Sequence, residues 1–459
     1  MSPRATPCCI FLLIVAACSP DYRNQQQNDL RLPIESRTTN TNPQAESFLQ
    51  PILMPSLDDR PTAKPIGGRR LSPNGYFVGL AISGGGSRSA NFAAACMFEL
   101  QRIGFLQKVQ CISSVSGGSL TAAYYCSCND SQWNPQNVQQ KLTNQFETTL
   151  FDRVFFLPWN TLGLLTGTIN RSDMLADEFA NAMFTRNGKW LTFADLRRDR
   201  PRLLINSTDM QSGRPFLFDN AYFDMINSRL DTYPLASAVV ASSAVPALLD
   251  PTTLRDYSTS FNQYLHLVDG GVVDNLGVQT LINSYLAESQ QPNDPYPNGA
   301  IIVVIDAGTP SNAKINAKAQ LGGIENLLEG FSVSSSVLLN RTGSATLSEA
   351  VVNNALGTYT AAQLRALIET LQRQHYVEIK DQAGRLVRIA HLSLSQVGEL
   401  STLTFGSSVN TISTRFDMSP NDAFNLYRAA QLLFQQRFDG RLKPLVQILN
   451  QATAPRQPK

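Results

Sequence analysis

Three short stretches hold residue types that can do chemistry together: Ser83-Gly84-Gly85-Gly86-Ser87-Arg88, Ser114-Val115-Ser116-Gly117-Gly118 and, far downstream, Asp269-Gly270-Gly271. Each closes an apolar run with strand character. A serine hydroxyl is a weak nucleophile. It needs a base, an exposed position and donors for the oxyanion it creates. Gly117 and Gly118 permit a tight turn that lifts the Ser116 hydroxyl out of a sheet. Gly84, Gly85 and Gly86 carry no Cβ, so their N–H groups can converge on one point at the start of a helix, where the dipole favours negative charge. Asp269, ending a strand, is a candidate general base. These are the parts of an acyl-transfer site.

A phosphate could also sit on such a loop, so a nucleotide-binding α/β protein is the rival reading. Its fingerprints fail: no Gly-Lys-Ser/Thr follows the loop, and Ser89 stands where a dinucleotide motif needs its third glycine. Arg88 can brace the loop or meet an anionic headgroup. A Ser-His-Asp triad is harder to assemble from the three histidines. His266 lies three residues before Asp269, which puts it on the opposite face of the same strand. His375 and His391 fall beside a hairpin, as structural or exposed residues.

The elements that must position these groups follow from the pattern. Tyr76–Ile82, Val109–Val115, Arg202–Ser207, Tyr264–Val268 and Ala300–Asp306 read as strands, and Ala90–Leu100 and Leu120–Tyr125 as buried helical segments. Their alternation predicts an α/β fold, a mainly parallel sheet flanked by helices in three layers. Beyond residue 310 the chain is richer in helix. Thr360 with Gln363 forms a capping box ahead of Leu364, Leu367, Ile368 and Leu371. Tyr376–Lys380 and Arg385–Ala390 read as a hairpin, and Ser419-Pro420 opens a further helix. This region is expected to pack on the core motifs of 76–310, within one domain spanning 71–459.

The chain has 459 residues, 43% hydrophobic and 16% charged, with a net charge of +2. That balance suits a globular protein and gives no reason to expect nucleic acid as a partner. Residues 1–17 have signal-peptide proportions, with Arg4 ahead of the apolar run Ile10–Ala17. The run is well short of the roughly 20 residues that span a bilayer. Val15-Ala16-Ala17-Cys18 resembles the lipobox of bacterial lipoproteins. That resemblance implies a lipidated Cys18, and with Ser19 after it, an anchor in the outer membrane of a bacterial cell envelope. An ordinary cleaved signal is the alternative. Residues 18–70 are polar and aperiodic and are expected to be a disordered tether, about 50 residues reaching roughly 40 Å. Cys96, Cys111, Cys126 and Cys128 offer no paired metal spacing; they are either disulfide-bonded or buried thiols. The apolar insert Val154–Trp159, with Leu162, Leu164 and Leu165, is a cap, a membrane-touching lip, or core.

The three stretches, in this order, resemble the patatin-like phospholipases, whose pattern is Gly-Gly-Gly-x-Arg, Gly-x-Ser-x-Gly and Asp-Gly-Gly. Ser114 departs from the first glycine of the second motif. Asn206-Ser207-Thr208-Asp209-Met210 with Gly213, Val240–Pro246, and Ile412-Ser413-Thr414-Arg415-Phe416 ahead of Ser419-Pro420 resemble further family blocks. The likeness runs from about residue 76 to 435. It implies a serine lipid acyl hydrolase of phospholipase A or lysophospholipase type, acting on phospholipid or another acyl-ester lipid. Ser116 would be the nucleophile, Asp269 the base and Gly84–Gly86 the oxyanion hole, supported by Arg88, with no metal or other cofactor. An inactive lipid-binding or scaffolding lipoprotein on the same fold is the alternative. Oligomeric state is not readable.

Overall fold

The computed structural model describes residues 23–26, 72–149, 170–246, 248–259, 263–308, 359–401 and 403–451. Residues 1–17, Cys18, most of the expected tether and the apolar insert at 154–165 lie outside them. The elements in chain order are β1 (Gln25–Gln26), β2 (Phe77–Ile82), α1 (Gly86–Arg102), β3 (Cys111–Val115), α2 (Gly117–Ser127), α3 (Arg171–Met183), β4 (Arg202–Asp209), β5 (Pro215–Leu217), β6 (Ser228–Arg229), α4 (Leu235–Ser243), β7 (Thr252–Asp256), β8 (Gln263–Asp269), α5 (Val278–Ser289), β9 (Ala300–Asp306), α6 (Ala361–Gln374), β10 (Tyr376–Lys380), β11 (Leu386–Ser393), α7 (Pro420–Leu433) and α8 (Asp439–Asn450).

One nine-stranded sheet runs β10-β11-β9-β2-β3-β4-β8-β7, with β5 on β4. The central pairs β11·β9, β9·β2, β2·β3 and β3·β4 are parallel, and the outer pairs are antiparallel. The expected mainly parallel α/β sheet is therefore present. The central strands are buried on both faces, which is why they read as continuous apolar runs. Odd residues of β4, such as Leu203 and Ile205, face a core shared with α1, α2, α4 and α7; Leu204 faces a second core built on α5 and α6. The layers are helix, sheet, helix.

The C-terminal region is part of this sheet. The expected hairpin is β10–β11, and β11 pairs parallel with β9. The capping box at Thr360 and the Ser419-Pro420 start are both formed, and α7 packs along α1. All four described cysteines are free and buried. No described helix is long and apolar enough to cross a membrane.

One expectation is corrected. The tether expected over 18–70 is docked at residues 23–26: β1 pairs antiparallel with β6. Asn24 is 2% exposed. Its side chain donates to the Arg255 carbonyl at 2.7 Å and accepts from the Arg255 N–H at 2.9 Å. Arg23 lies over the Trp190 ring at 4.5 Å and beside Asp173 and Asp177. Composition made this stretch look unstructured because its hydrogen-bond partners lie more than 200 residues away.

Asn206 fastens three elements. Its Nδ2 donates to Ser113 Oγ at 2.9 Å and the Ser114 carbonyl at 2.8 Å, and its Oδ1 accepts from Thr280 Oγ1 at 2.6 Å. Asn206→Ala leaves those buried groups unpaired and is expected to lower stability by about 2–4 kcal/mol, read as a lower urea midpoint at an unchanged slope.

Candidate active site

Ser116 follows β3 and precedes α2, with φ 51° and ψ −132°. A non-glycine residue in this region of backbone space is strained and persists only when its surroundings hold it. They do. The Ser116 N–H donates to Ser242 Oγ at 2.8 Å, and Ser242 in turn donates to the Asn206 carbonyl at 2.5 Å. Gly117 lies directly on the Gly86 carbonyl, so a Cβ there would collide with backbone. At Gly118 a Cβ would meet Ile82 Cγ2 and the Ser83 carbonyl, each at 2.6 Å. The N-termini of α1 and α2 are thereby forced together. Ser114, where the family pattern has glycine, is an ordinary buried strand residue. The turn's strain falls on Ser116 itself.

Asp269 ends β8, which is antiparallel to β4. Val115 pairs with Asn206 and Asp269 with Ser207, so Ser116 and Asp269 flank β4 at one level. The carboxylate is 1% exposed. Its Oδ1 accepts the Gly271 N–H at 2.7 Å, while Oδ2 has no partner of ordinary hydrogen-bond geometry among the described residues. Burial raises its pKa to about 6, although the Gly271 N–H and the neighbouring Ser116 hydroxyl pull the other way. A hydroxyl next to an under-bonded, partly basic carboxylate is an arrangement suited to proton transfer.

The glycine loop is corrected in one respect. The Gly84 N–H is already bonded to the Asn275 carbonyl at 2.9 Å, and a Cβ at Gly84 would stand 2.5 Å from Asn275 Oδ1. Gly84 therefore packs and does not point a donor into the site. Gly85 at φ 134° and Gly86 at φ 56° hold conformations that favour glycine. Neither N–H donates to a protein acceptor among the described residues. The next N–H, of Ser87, is held by the Arg415 carbonyl at 2.6 Å.

Arg88 is a brace. It is buried and donates through Nη1 to the Ile412 carbonyl at 2.9 Å. Burial lowers its pKa to about 10, offset by Asp306, so it remains charged at neutral pH. The histidines stand apart from Ser116. His266 is exposed and contacts Thr253 Oγ1 at 3.1 Å. His391 Nε2 meets Asp306 Oδ2 at 2.9 Å, and His375 caps α6. No group of three or more His, Cys, Asp or Glu able to hold a metal occurs among the described residues.

Sequence reasoning missed three supports. Ser242 holds the Ser116 turn; it lay inside a family block but carried no stated role. The Asn275 and Arg415 carbonyls fix the glycine loop, and backbone acceptors leave no signal in side-chain identity.

The buried carboxylate makes a two-sided prediction. Its folded pKa of about 6 lies above the 3.8 of a free aspartate, so the folded state is favoured at low pH and loses that advantage as pH rises through 6. A difference of about two units is about 3 kcal/mol at most. Asp269→Asn is expected to raise stability at pH 7.5 by about 1–3 kcal/mol, with the gain vanishing below about pH 4. Urea unfolding at the two pH values checks this.

Residues 80–282 match the model of the family described as Patatin-like phospholipase. No curated protein matches the chain in sequence. Among solved structures, human GIVD cytosolic phospholipase A2 is similar over 82% of this chain, at 12% identity and a TM-score of 0.46; the chain covers 63% of that protein. VipD from Legionella pneumophila is similar over 79% of this chain and 67% of its own, at 13% identity and a TM-score of 0.32. The three-layer fold, with its mostly parallel sheet and helical C-terminal region, is patatin-like, and the stretch that carries Ser116, Asp269 and the glycine loop is the one that matches the patatin-like phospholipase family.

Proposed function

We propose that the protein is a serine lipid acyl hydrolase, of phospholipase A or lysophospholipase type, working through a Ser116–Asp269 dyad. The observation that carries this reading is the strained Ser116 turn beside an under-bonded Asp269 carboxylate whose pKa is raised to about 6.

The Ser116 hydroxyl attacks the ester carbonyl carbon as its proton passes to Asp269. The carbonyl oxygen becomes an oxyanion, which accepts the N–H groups of Gly85 and Gly86 at the N-terminus of α1. Collapse breaks the ester C–O bond. The leaving alcohol takes the proton back from Asp269, and the acyl group remains on Ser116. Water then gives a proton to Asp269 and attacks the acyl carbonyl. The fatty acid leaves, and the proton returns to Ser116. Arg88, the Ile412 carbonyl and the Arg415 carbonyl hold the loop in register throughout. Neither histidine chemistry nor a metal enters.

The lipoprotein reading belongs to the same proposal: Cys18 carries lipid and holds the domain at a bacterial outer membrane. Cys18→Ser is then expected to move the protein from the membrane to the soluble fraction.

A fluorophosphonate probe is expected to label Ser116 alone, with labelling lost in Ser116→Ala. Its rate should fall as pH drops through about 6, since the protonated carboxyl accepts no proton. Labelling that persists at another site in Ser116→Ala contradicts the reading, and no labelling of the intact protein favours the lipid-binding alternative. Gly85→Ala is expected to lower kcat by about 10²–10³ with little change in KM, because the donor acts only once the oxyanion exists.

A further inference from the structure

The docked N-terminal segment lies at a particular end of the molecule. Asp269 is level with Ser116. Five residues back along β8, Tyr264 pairs with Arg255 of β7. Those five residues carry β8 about 16 Å outward, past the end of β3. Asn24 grips that outer stretch: it bonds the Arg255 backbone in both directions, and its own carbonyl accepts from the Tyr257 hydroxyl at 2.9 Å. Its Nδ2 also donates to Ser228 Oγ at 3.1 Å, and the Gln25 carbonyl accepts from the same hydroxyl at 2.9 Å. Arg23 adds the Trp190 ring and the Asp173 and Asp177 carboxylates.

Three of the exposed large apolar side chains follow elements that end on this side. Met210 is 58% exposed and follows β4, its N–H on the His266 carbonyl. Met225 closes the short helix Asn220–Met225, next to the Ile226 carbonyl that accepts the Tyr257 N–H. Val272 directly follows Asp269-Gly270-Gly271.

We propose that Arg23–Gln26 is an orienting latch that turns the Ser116 end, with Met210, Met225 and Val272 exposed on it, toward a lipid bilayer. This rests on the reading of Cys18 as the lipidated residue. Only residues 19–22 then separate the anchor from the latch. Four residues span at most about 14 Å, against roughly 40 Å for a free tether of about 50 residues. The domain is thereby held close to the bilayer by its active-site end.

The test uses the full lipidated chain on vesicles of phosphatidylethanolamine and phosphatidylglycerol containing a spin-labelled lipid. A bimane probe at Met210→Cys is expected to be quenched, and one at Gln107→Cys, exposed just before β3 at the opposite end, is not. The combined Arg23→Ala and Asn24→Ala variant releases the leash. Effective concentration falls as roughly the −3/2 power of tether length, so vesicle hydrolysis should drop on the order of tens-fold. Hydrolysis of a monomeric short-chain ester should stay unchanged, which also reports that the variant is folded. A Gly-Ser insert between Ser19 and Arg23 leaves every latch contact intact and should likewise reduce quenching at Met210. Quenching at Gln107 in preference to Met210, or vesicle hydrolysis indifferent to both variants, overturns the latch. Absence of metabolic palmitate label on Cys18 overturns the anchor and the latch together. Loss of fluorophosphonate labelling at Ser116 bears on the hydrolase alone.

Discussion

The contact on which the rest depends is backbone on backbone: the α-carbon of Gly117 resting on the Gly86 carbonyl. No side chain fits between them. Two helices therefore start within van der Waals reach of each other, both aimed at the end of the sheet where β3 stops. From this follow the strained turn at Ser116, the open N–H groups of Gly85 and Gly86, and the summed positive potential of two helix N-termini. Gly270 makes a similar demand on the far side of β4, where a Cβ would meet the Asn206 carbonyl, and so fixes how closely Asp269 approaches.

Around that contact the molecule holds two strained features in place by over-determination. The Ser116 backbone is tied by Ser242, and Ser242 by Asn206, which also reaches Ser113, Ser114 and Thr280. The Asp269 carboxylate is desolvated and given a single backbone donor, which orients it and leaves Oδ2 without a partner of ordinary geometry among the described residues. Asp274, five residues on, is raised by burial to about 6 as well, so what sets Asp269 apart is its under-bonded oxygen and not its basicity. Asp274 is equally buried and accepts from Gly277, Gln279 and Thr280 at the start of α5. Its oxygens are occupied, so it caps a helix.

Much of this was legible in the sequence. Strands such as Ala300–Asp306 announce themselves by unbroken β-branched runs, and the glycine and serine motifs carry their own geometry. The edge strand β7 did not: Thr-Thr-Leu-Arg-Asp is partly exposed on both faces and shows no clean alternation, unlike the opposite edge strand β10. The direction of β8 was also hidden, since a strand's own residues do not say whether its neighbour runs with or against it. Gly84 looked like a third oxyanion donor because the motif treats three glycines alike; only the Asn275 carbonyl distinguishes it. The docked residues 23–26 were invisible for the reason that applies to all polar docking segments: four polar residues have no periodicity, and their partners lie across the fold.

The central claim is a covalent acyl intermediate on Ser116. It is tested most directly by rapid-quench mass spectrometry of the Ser116 peptide during phospholipid turnover. The account predicts a mass increase equal to the substrate's acyl group on that peptide, appearing within the first turnover and decaying when substrate is exhausted. Product release with no acyl mass on Ser116, or an acyl mass on another residue, contradicts it.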